Sequence, residues 1–193
     1  MNLKTDEIVK SGLKHNSFPS RSKNENKNFE LINFANINTK EVEQMVILDK
    51  YTVEKYGNSY SNERWHELNF LYQLPQKDKY SFILKIKNET FGFCVASLKN
   101  DTIYIHRFLV KQNSFNFSRI FFKKLMEYYK NKQLTLMVNI DNITAINFYK
   151  FFEFKIIKEN KIIKQFISSD LEIKEHLICV EKDYKCCLMI KKA

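Results

Sequence analysis

Glycine is nearly missing from this chain: three residues in 193, Gly12, Gly57 and Gly92, with none between Gly92 and the C-terminus. A phosphate-binding loop built on repeated glycines is thereby excluded from the second half. Cysteine offers no framework either. Cys94, Cys179, Cys186 and Cys187 form no C-x-x-C pair and stand at no metal-ligand spacing from a histidine, so no metal site is expected. Cys94 and Cys179 fall inside apolar strand patterns, where reduced, buried thiols belong. No apolar run approaches the ~20 residues of a membrane span. The charged N-terminus lacks the apolar core of a signal peptide. The expectation is a cytoplasmic protein with no membrane partner.

What is there reads as globular. Charged residues make up 28% and hydrophobic ones 44%, and the length fits one domain with a core of its own. The net charge of +10, from 32 Lys plus Arg against 22 Asp plus Glu, can attract nucleic acid, anionic membrane or acidic cofactors. The same chain is rich in Asn, Ile, Phe and Tyr, a bias of AT-rich coding sequence that favours Lys over Arg whatever the function. Charge alone therefore carries little weight.

Residues 1–28 are polar, with a short helix possible at 5–13, and are expected to form a flexible extension. A nucleic-acid or partner arm is the rival reading of that stretch. The domain proper is expected over 29–193. Residues 29–34 alternate toward a strand. Thr39 can cap a helix whose Val42, Met45, Val46, Asp49 and Val53 share a face and which ends near Gly57. Ser61 can cap a second helix carrying Trp65, Leu68, Leu71 and Tyr72 and stopping before Pro75. Strands follow at 80–87, 90–98 and 103–110, with turns at Asn88-Glu89 and Asn100-Asp101. A helix with Ile120, Phe121, Leu125 and Tyr128 inward comes next. Terminal strands are expected at 162–167, 177–180 and 187–190.

The most informative stretch begins at the apolar run 134–138, a buried-strand pattern. Asp141 and Asn142 then offer caps, and Ile143, Ile146, Tyr149 and Phe152 recur at helical spacing. Strand, Asn142, Ala145, Phe148, Tyr149 and Phe154 together resemble the last motif of the GNAT acetyltransferase superfamily, with Glu153 where that motif has glycine. Gly92 also falls where the family often has a glycine, at the start of the strand expected at 90–98, and the stretch at Met189 resembles the family's closing strand. The resemblance spans 29–189 in element order, with its specific motifs between 103 and 154.

That resemblance implies an α/β (α+β) single domain: a mixed, mostly antiparallel sheet flanked by helices, with 108–110 splayed from 136–138 into a V-shaped cleft. It implies acetyl-CoA as co-substrate, with no metal, and direct attack of a primary amine on the thioester. The strand edge at Phe108, Leu109 and Val110 would hold the pantetheine amides. The family's pyrophosphate loop reads Gln/Arg-x-x-Gly-x-Gly/Ala; here Asn116, Phe117, Ser118 and Arg119 stand in its place, and the register shifts by two between the Val110 and Leu125 anchors. A helix N-terminus still suits phosphates, with Lys123 and Lys124 adding countercharge. Tyr149 is the general-acid candidate at the departing sulfur, and Asn142 would bond cofactor or water. His106 and Tyr104, on one face by strand alternation, are both candidates for the base, as is a water. Trp65, His66, Tyr56 and Tyr60 are candidates for the acceptor pocket. The acceptor itself, small molecule or protein, is open, as is monomer or homodimer. Two rival functions remain: a catalytically degenerate homologue that binds acyl-CoA or a partner, and a basic nucleic-acid-binding protein.

Overall fold

The computed structural model describes residues 29–57, 64–111, 115–161 and 185–193. The expected extension at 1–28 lies outside those residues, as do Tyr60, Ser61, Cys179 and the strands expected at 162–167 and 177–180. The sheet has seven strands in the order β1-β2-β3-β4-β5-β7-β6. They are β1 Phe29–Asn33, β2 Phe82–Ile86, β3 Glu89–Lys99, β4 Thr102–Val110, β5 Gln133–Asn139, β6 Lys155–Lys161 and β7 Lys185–Lys191. Every neighbouring pair is antiparallel except β4 with β5. The helices are α1 Thr39–Tyr56, α2 Glu67–Leu71, α3 Lys77–Tyr80, α4 Phe115–Tyr128 and α5 Ile143–Phe151. No helix among the described residues is long and apolar enough to cross a membrane.

Local chemistry explains most boundaries. Asn38, not Thr39, caps α1: its side chain takes the Glu41 N–H while the Glu41 carboxylate takes the Asn38 N–H at 2.7 Å. That reciprocal pair is a capping box. Two tight hairpins are built without glycine. Lys87 and Asn88 have φ of 52° and 64°, and Asn100 and Asp101 have 48° and 61°. Two consecutive left-handed residues match the right-handed twist of the flanking strands. The first turn thus lies at Lys87-Asn88, one residue before its expected place, because Ile86 pairs with Glu89.

Three expectations about elements need correction. The second helix is only Glu67–Leu71, and it buries Phe70 while Leu68 and Leu71 stay exposed. Tyr80, expected to open a strand, instead ends a short helix at Lys77–Tyr80, closed by the Tyr80 N–H on the Gln76 carbonyl and the Ser81 N–H on the Lys77 carbonyl, while the Lys77 ammonium ties the backbone carbonyls of Asn69, Phe70 and Tyr72. On α4 the buried residues are Phe121, Phe122 and Leu125, whereas Ile120 and Tyr128 are exposed. β6 has no counterpart in the pattern reading.

The two faces of the sheet carry separate apolar clusters. One joins Ile103, Ile105, Leu134 and Leu136 to α4 and α5. The other joins Phe93, Val95 and Leu109 to α1 and Phe70 of α2. β4 sends Ile103 and Ile105 to one and Leu109 to the other, although strict alternation would keep these odd-numbered residues on one face. The reason is a bulge: Ala96 pairs with Ile105 and Val95 with Arg107, leaving His106 as an extra residue. One inserted residue swaps which face the rest of the strand presents.

Candidate active site

The pairing of β4 with β5 stops at Ile105↔Leu136. Past that point β4 runs on beside β3, reaching Gly92↔Val110, while β5 runs on beside β7 to Asn139↔Cys186. The two central strands therefore part in the middle of the sheet, where a V-shaped cleft was expected. Gly92 is part of the reason. A Cβ there would sit 2.7 Å from the Leu109 carbonyl oxygen, so only glycine lets β4 stay this close to β3 at the mouth.

His106 sits at the vertex, immediately after the last paired residue and within the bulge. Its Nε2 lies 2.7 Å from the Ser97 hydroxyl of β3, and its ring is 4.7 Å from that of Tyr104. Both candidates for the base thus share one side, as alternation implied. Burial, aided by the nearby Lys77 charge, pushes the His106 pKa down to about 4. Burial raises that of Tyr104. At neutral pH His106 is an uncharged imidazole, and Tyr104 holds its proton firmly.

The next residue, Arg107, anchors this side. Its guanidinium makes paired bonds of 2.8 and 2.9 Å to the fully buried Asp49 carboxylate of α1. The Asp49 carboxylate also accepts the Trp65 N–H at 2.9 Å, and the guanidinium lies 5.3 Å from the Trp65 ring. Trp65 is thereby brought to the vertex. His66 and Tyr56 are instead exposed, His66 as the cap residue of α2 and Tyr56 at the end of α1. The Asp49–Arg107 pair escaped the pattern reading because its members are 58 positions apart. A carboxylate on the apolar stripe of α1 was the available signal.

The opposite side is aromatic. Phe122 of α4 has no exposed surface and touches the rings of Phe108, Phe148, Tyr149, Phe152 and Phe154. Phe108 projects here from β4 and stacks on Phe148 at 5.7 Å, with the planes 21° apart. Tyr149 lies directly behind, 8% exposed, packed on Phe148 and Phe154. Leu109, by contrast, is buried among the α1 and α2 contacts, so only its backbone faces the strand edge. Asn142 caps α5, its side-chain oxygen accepting the Ala145 N–H at 3.0 Å. That bond commits one end of a side chain expected to reach cofactor or water.

Residues 112–114, the first part of the expected phosphate loop, lie outside the described residues. α4 itself carries no acidic residue in its first turn, so the positive end of its dipole meets no carboxylate of its own. Within that turn Asn116 and Arg119 are exposed, and Phe117 and Ser118 are half-buried. Phe117 packs on Phe91, and the Arg119 guanidinium lies over the Phe151 ring at 4.3 Å. The first turn of a helix and a guanidinium are groups that favour anions. Among the described residues no cluster of His, Cys, Asp and Glu could hold a metal.

Comparison with known proteins agrees with this architecture. No curated protein matches the chain. Among solved structures, the ribosomal-protein-S18-alanine N-acetyltransferase from Escherichia coli superposes with a TM-score of 0.59 at 12% identity, over 84% of this chain and 92% of that one. Ard1 from Thermoplasma volcanium gives 0.61 at 14%, over 84% and 96%. Arabidopsis thaliana Naa50, in complex with a bisubstrate analogue CoA-Ac-MVNAL, gives 0.59 at 14%, over 86% and 99%. Identities this low establish the shared fold. The sequence itself matches the acetyltransferase (GNAT) family model across residues 46–154, which takes in the later part of α1, the parted strands, α4 and α5. The chain belongs to the acetyltransferase (GNAT) family.

Proposed function

We propose that this protein transfers an acetyl group from acetyl-CoA to a primary amine by direct attack, with no acyl-enzyme. The observation that carries the reading is the end of β4–β5 pairing at Ile105, with His106 next along β4 and Tyr149 packed on Phe148, which itself stacks on Phe108 of the same strand. In this reading a thioester between the parted strands has His106 as proton acceptor and Tyr149 as proton donor.

Acetyl-CoA supplies an activated acyl group with a thiolate as its leaving group. Everything else falls to the chain. The strand edge at Phe108, Leu109 and Val110 offers backbone groups to the pantetheine amides. The first turn of α4, from Asn116 to Arg119, offers N–H groups and a cation to the phosphates. The α1/α2 side, with Trp65 and the neutralised Asp49–Arg107 pair, receives the amine. As the C–N bond forms and the C–S bond breaks, His106 takes the proton that the amine sheds, directly or through a water. Tyr149 gives its phenolic proton to the leaving sulfur and recovers one from solvent. His106 needs no prior deprotonation at neutral pH, since its pKa of about 4 keeps it uncharged. Tyr104 packs against that imidazole, and its raised pKa makes it a donor rather than a base.

The test has two measurements. Titration calorimetry with acetyl-CoA reads binding. Release of CoA thiol, followed with peptides bearing a free α-amine, a lysine side chain or a polyamine, reads transfer. Binding with turnover on one class of amine is the expected outcome. Binding without turnover on any of them would instead assign a degenerate acyl-CoA binder. No binding at near-millimolar acetyl-CoA would remove both readings.

A further inference from the structure

We infer that Ser97 is a positioning residue: its hydroxyl accepts the Nε2–H of His106, fixing the tautomer that leaves the Nδ1 lone pair for the substrate amine. The inference rests on the proposed role of His106 as base.

Three observations lead to it. Ser97 is 4% exposed, and its hydroxyl lies 2.7 Å from Nε2, within the range of a short, strong hydrogen bond. The contact exists because of the bulge. By register Ser97 opposes Tyr104, not His106; the extra residue at 106 swings the imidazole back over β3. The histidine is also at the vertex, where the parallel pairing has just ended, and Nδ1 is the ring nitrogen that the Ser97 bond does not occupy.

Only one polarity of this bond serves a base. A neutral imidazole carries one N–H. Were Ser97 to donate to Nε2, the proton would sit on Nδ1, and the ring could give but not take. With Ser97 accepting, the Nδ1 lone pair is available. When the amine proton arrives there, both nitrogens carry protons, and the Nε2–H remains bonded to the hydroxyl oxygen. The imidazolium thus forms with one partner already in place, which lowers the cost of creating charge at a largely buried position. A serine does this without a negative charge of its own, unlike the aspartate of a hydrolase triad.

The decisive measurement is the His106 tautomer, read from ring 15N shifts of the full-length protein. Wild type is expected to show Nε2–H with an unprotonated Nδ1, and Ser97→Ala a mixed or reversed tautomer. A wild type with its proton on Nδ1 overturns the inference whatever the kinetics. A Ser97→Ala variant that keeps the wild-type tautomer does so as well. On turnover, Ser97→Ala is expected to lose about 10-fold in kcat/KM with acetyl-CoA affinity unchanged, and Ser97→Thr to restore most of it. Ser97→Ala added to His106→Gln should cost nothing more. If His106→Gln alone runs at the wild-type rate, the assignment of the base is wrong while the tautomer result stands or falls by itself.

Discussion

The backbone carbonyl of Tyr149 accepts the N–H of Phe154 at 3.1 Å, and the rings of the same two residues pack 5.7 Å apart. Together with the Glu153 N–H on the Lys150 carbonyl at 2.9 Å, this closes α5 in a Schellman motif. The residue that the motif holds in the left-handed region is Glu153, with φ of 68°. The same turn that ends the helix therefore fixes the orientation of the proposed general acid.

Tyr149→Phe removes one hydroxyl from that arrangement and leaves the packing on Phe122, Phe148 and Phe154 in place. Turnover is expected to fall by ~10²-fold, the scale of one acid–base group, with acetyl-CoA affinity little changed. A wild-type rate in a variant that binds acetyl-CoA normally would reduce Tyr149 to a core residue.

Glu153 tests the turn itself. Glycine adopts positive φ without a Cβ penalty, and an exposed ion pair such as Glu153 with Lys191 adds little. Glu153→Gly should raise the thermal midpoint, and Glu153→Val should lower it. The reverse order in a melting series would mean that the carboxylate, not the backbone, is what the position selects for.

Asp49→Asn leaves the Arg107 guanidinium 9% exposed with no opposing charge. Breaking a buried pair from one side costs about 3–5 kcal/mol, to be read from denaturant midpoints. Replacing both, Asp49→Leu with Arg107→Met, should recover part of the loss because no charge is then stranded. A single substitution costing under ~1 kcal/mol would show that the pair contributes little to holding α1 on β4.

Acid stability should carry the signature of His106. Its folded-state pKa of about 4 lies below the ordinary 6.5, so between those values the unfolded chain binds the extra proton. Stability therefore rises with pH across that window; the His106 contribution is complete above about 6.5 and is lost as pH falls toward 4. Thermal midpoints measured from pH 4 to 7 should fall less steeply on the acid side for His106→Gln than for wild type. Identical slopes would place the imidazole in a more solvated setting.

Gly92→Ala presses a methyl group against the Leu109 carbonyl, 2.7 Å away. β4 must shift or the strand must strain, at a cost of about 1–3 kcal/mol. Because Gly92 pairs with Val110, weaker acetyl-CoA binding should accompany the lost stability. Full affinity in a destabilised variant would separate the strand edge from the cofactor site.

Much of the site could be seen from local chemistry. Asn142, Tyr149 and Phe154 sit in one continuous stretch, where spacing places a cap, an inward ring and a closing contact without reference to the rest of the chain. Turns at Asn100-Asp101 and the stop at Gly57 are likewise local, since positive φ is a property of single residues. The parting of β4 from β5 was implied only through the family resemblance. Position 153 is instructive in the same way: the missing glycine suggested a departure, yet the backbone keeps the left-handed turn and glutamate bears it.

Contacts between distant positions were decided by tertiary structure alone. Nothing in the local pattern distinguishes His106 from its neighbours as a bulge residue, because a bulge is defined by the register of β4 against β3. The faces of Arg107, Phe108 and Leu109 follow from that one insertion, and so do the bonds to Ser97 and Asp49. Burial decided the rest: which rings of α4 turn inward depends on how the helix is rotated against the sheet, and the spacing of its aromatics at 115, 117, 121, 122 and 128 fits several rotations. Local hydrogen bonding specifies where an element begins and ends; which side chains then meet is a property of the packed whole.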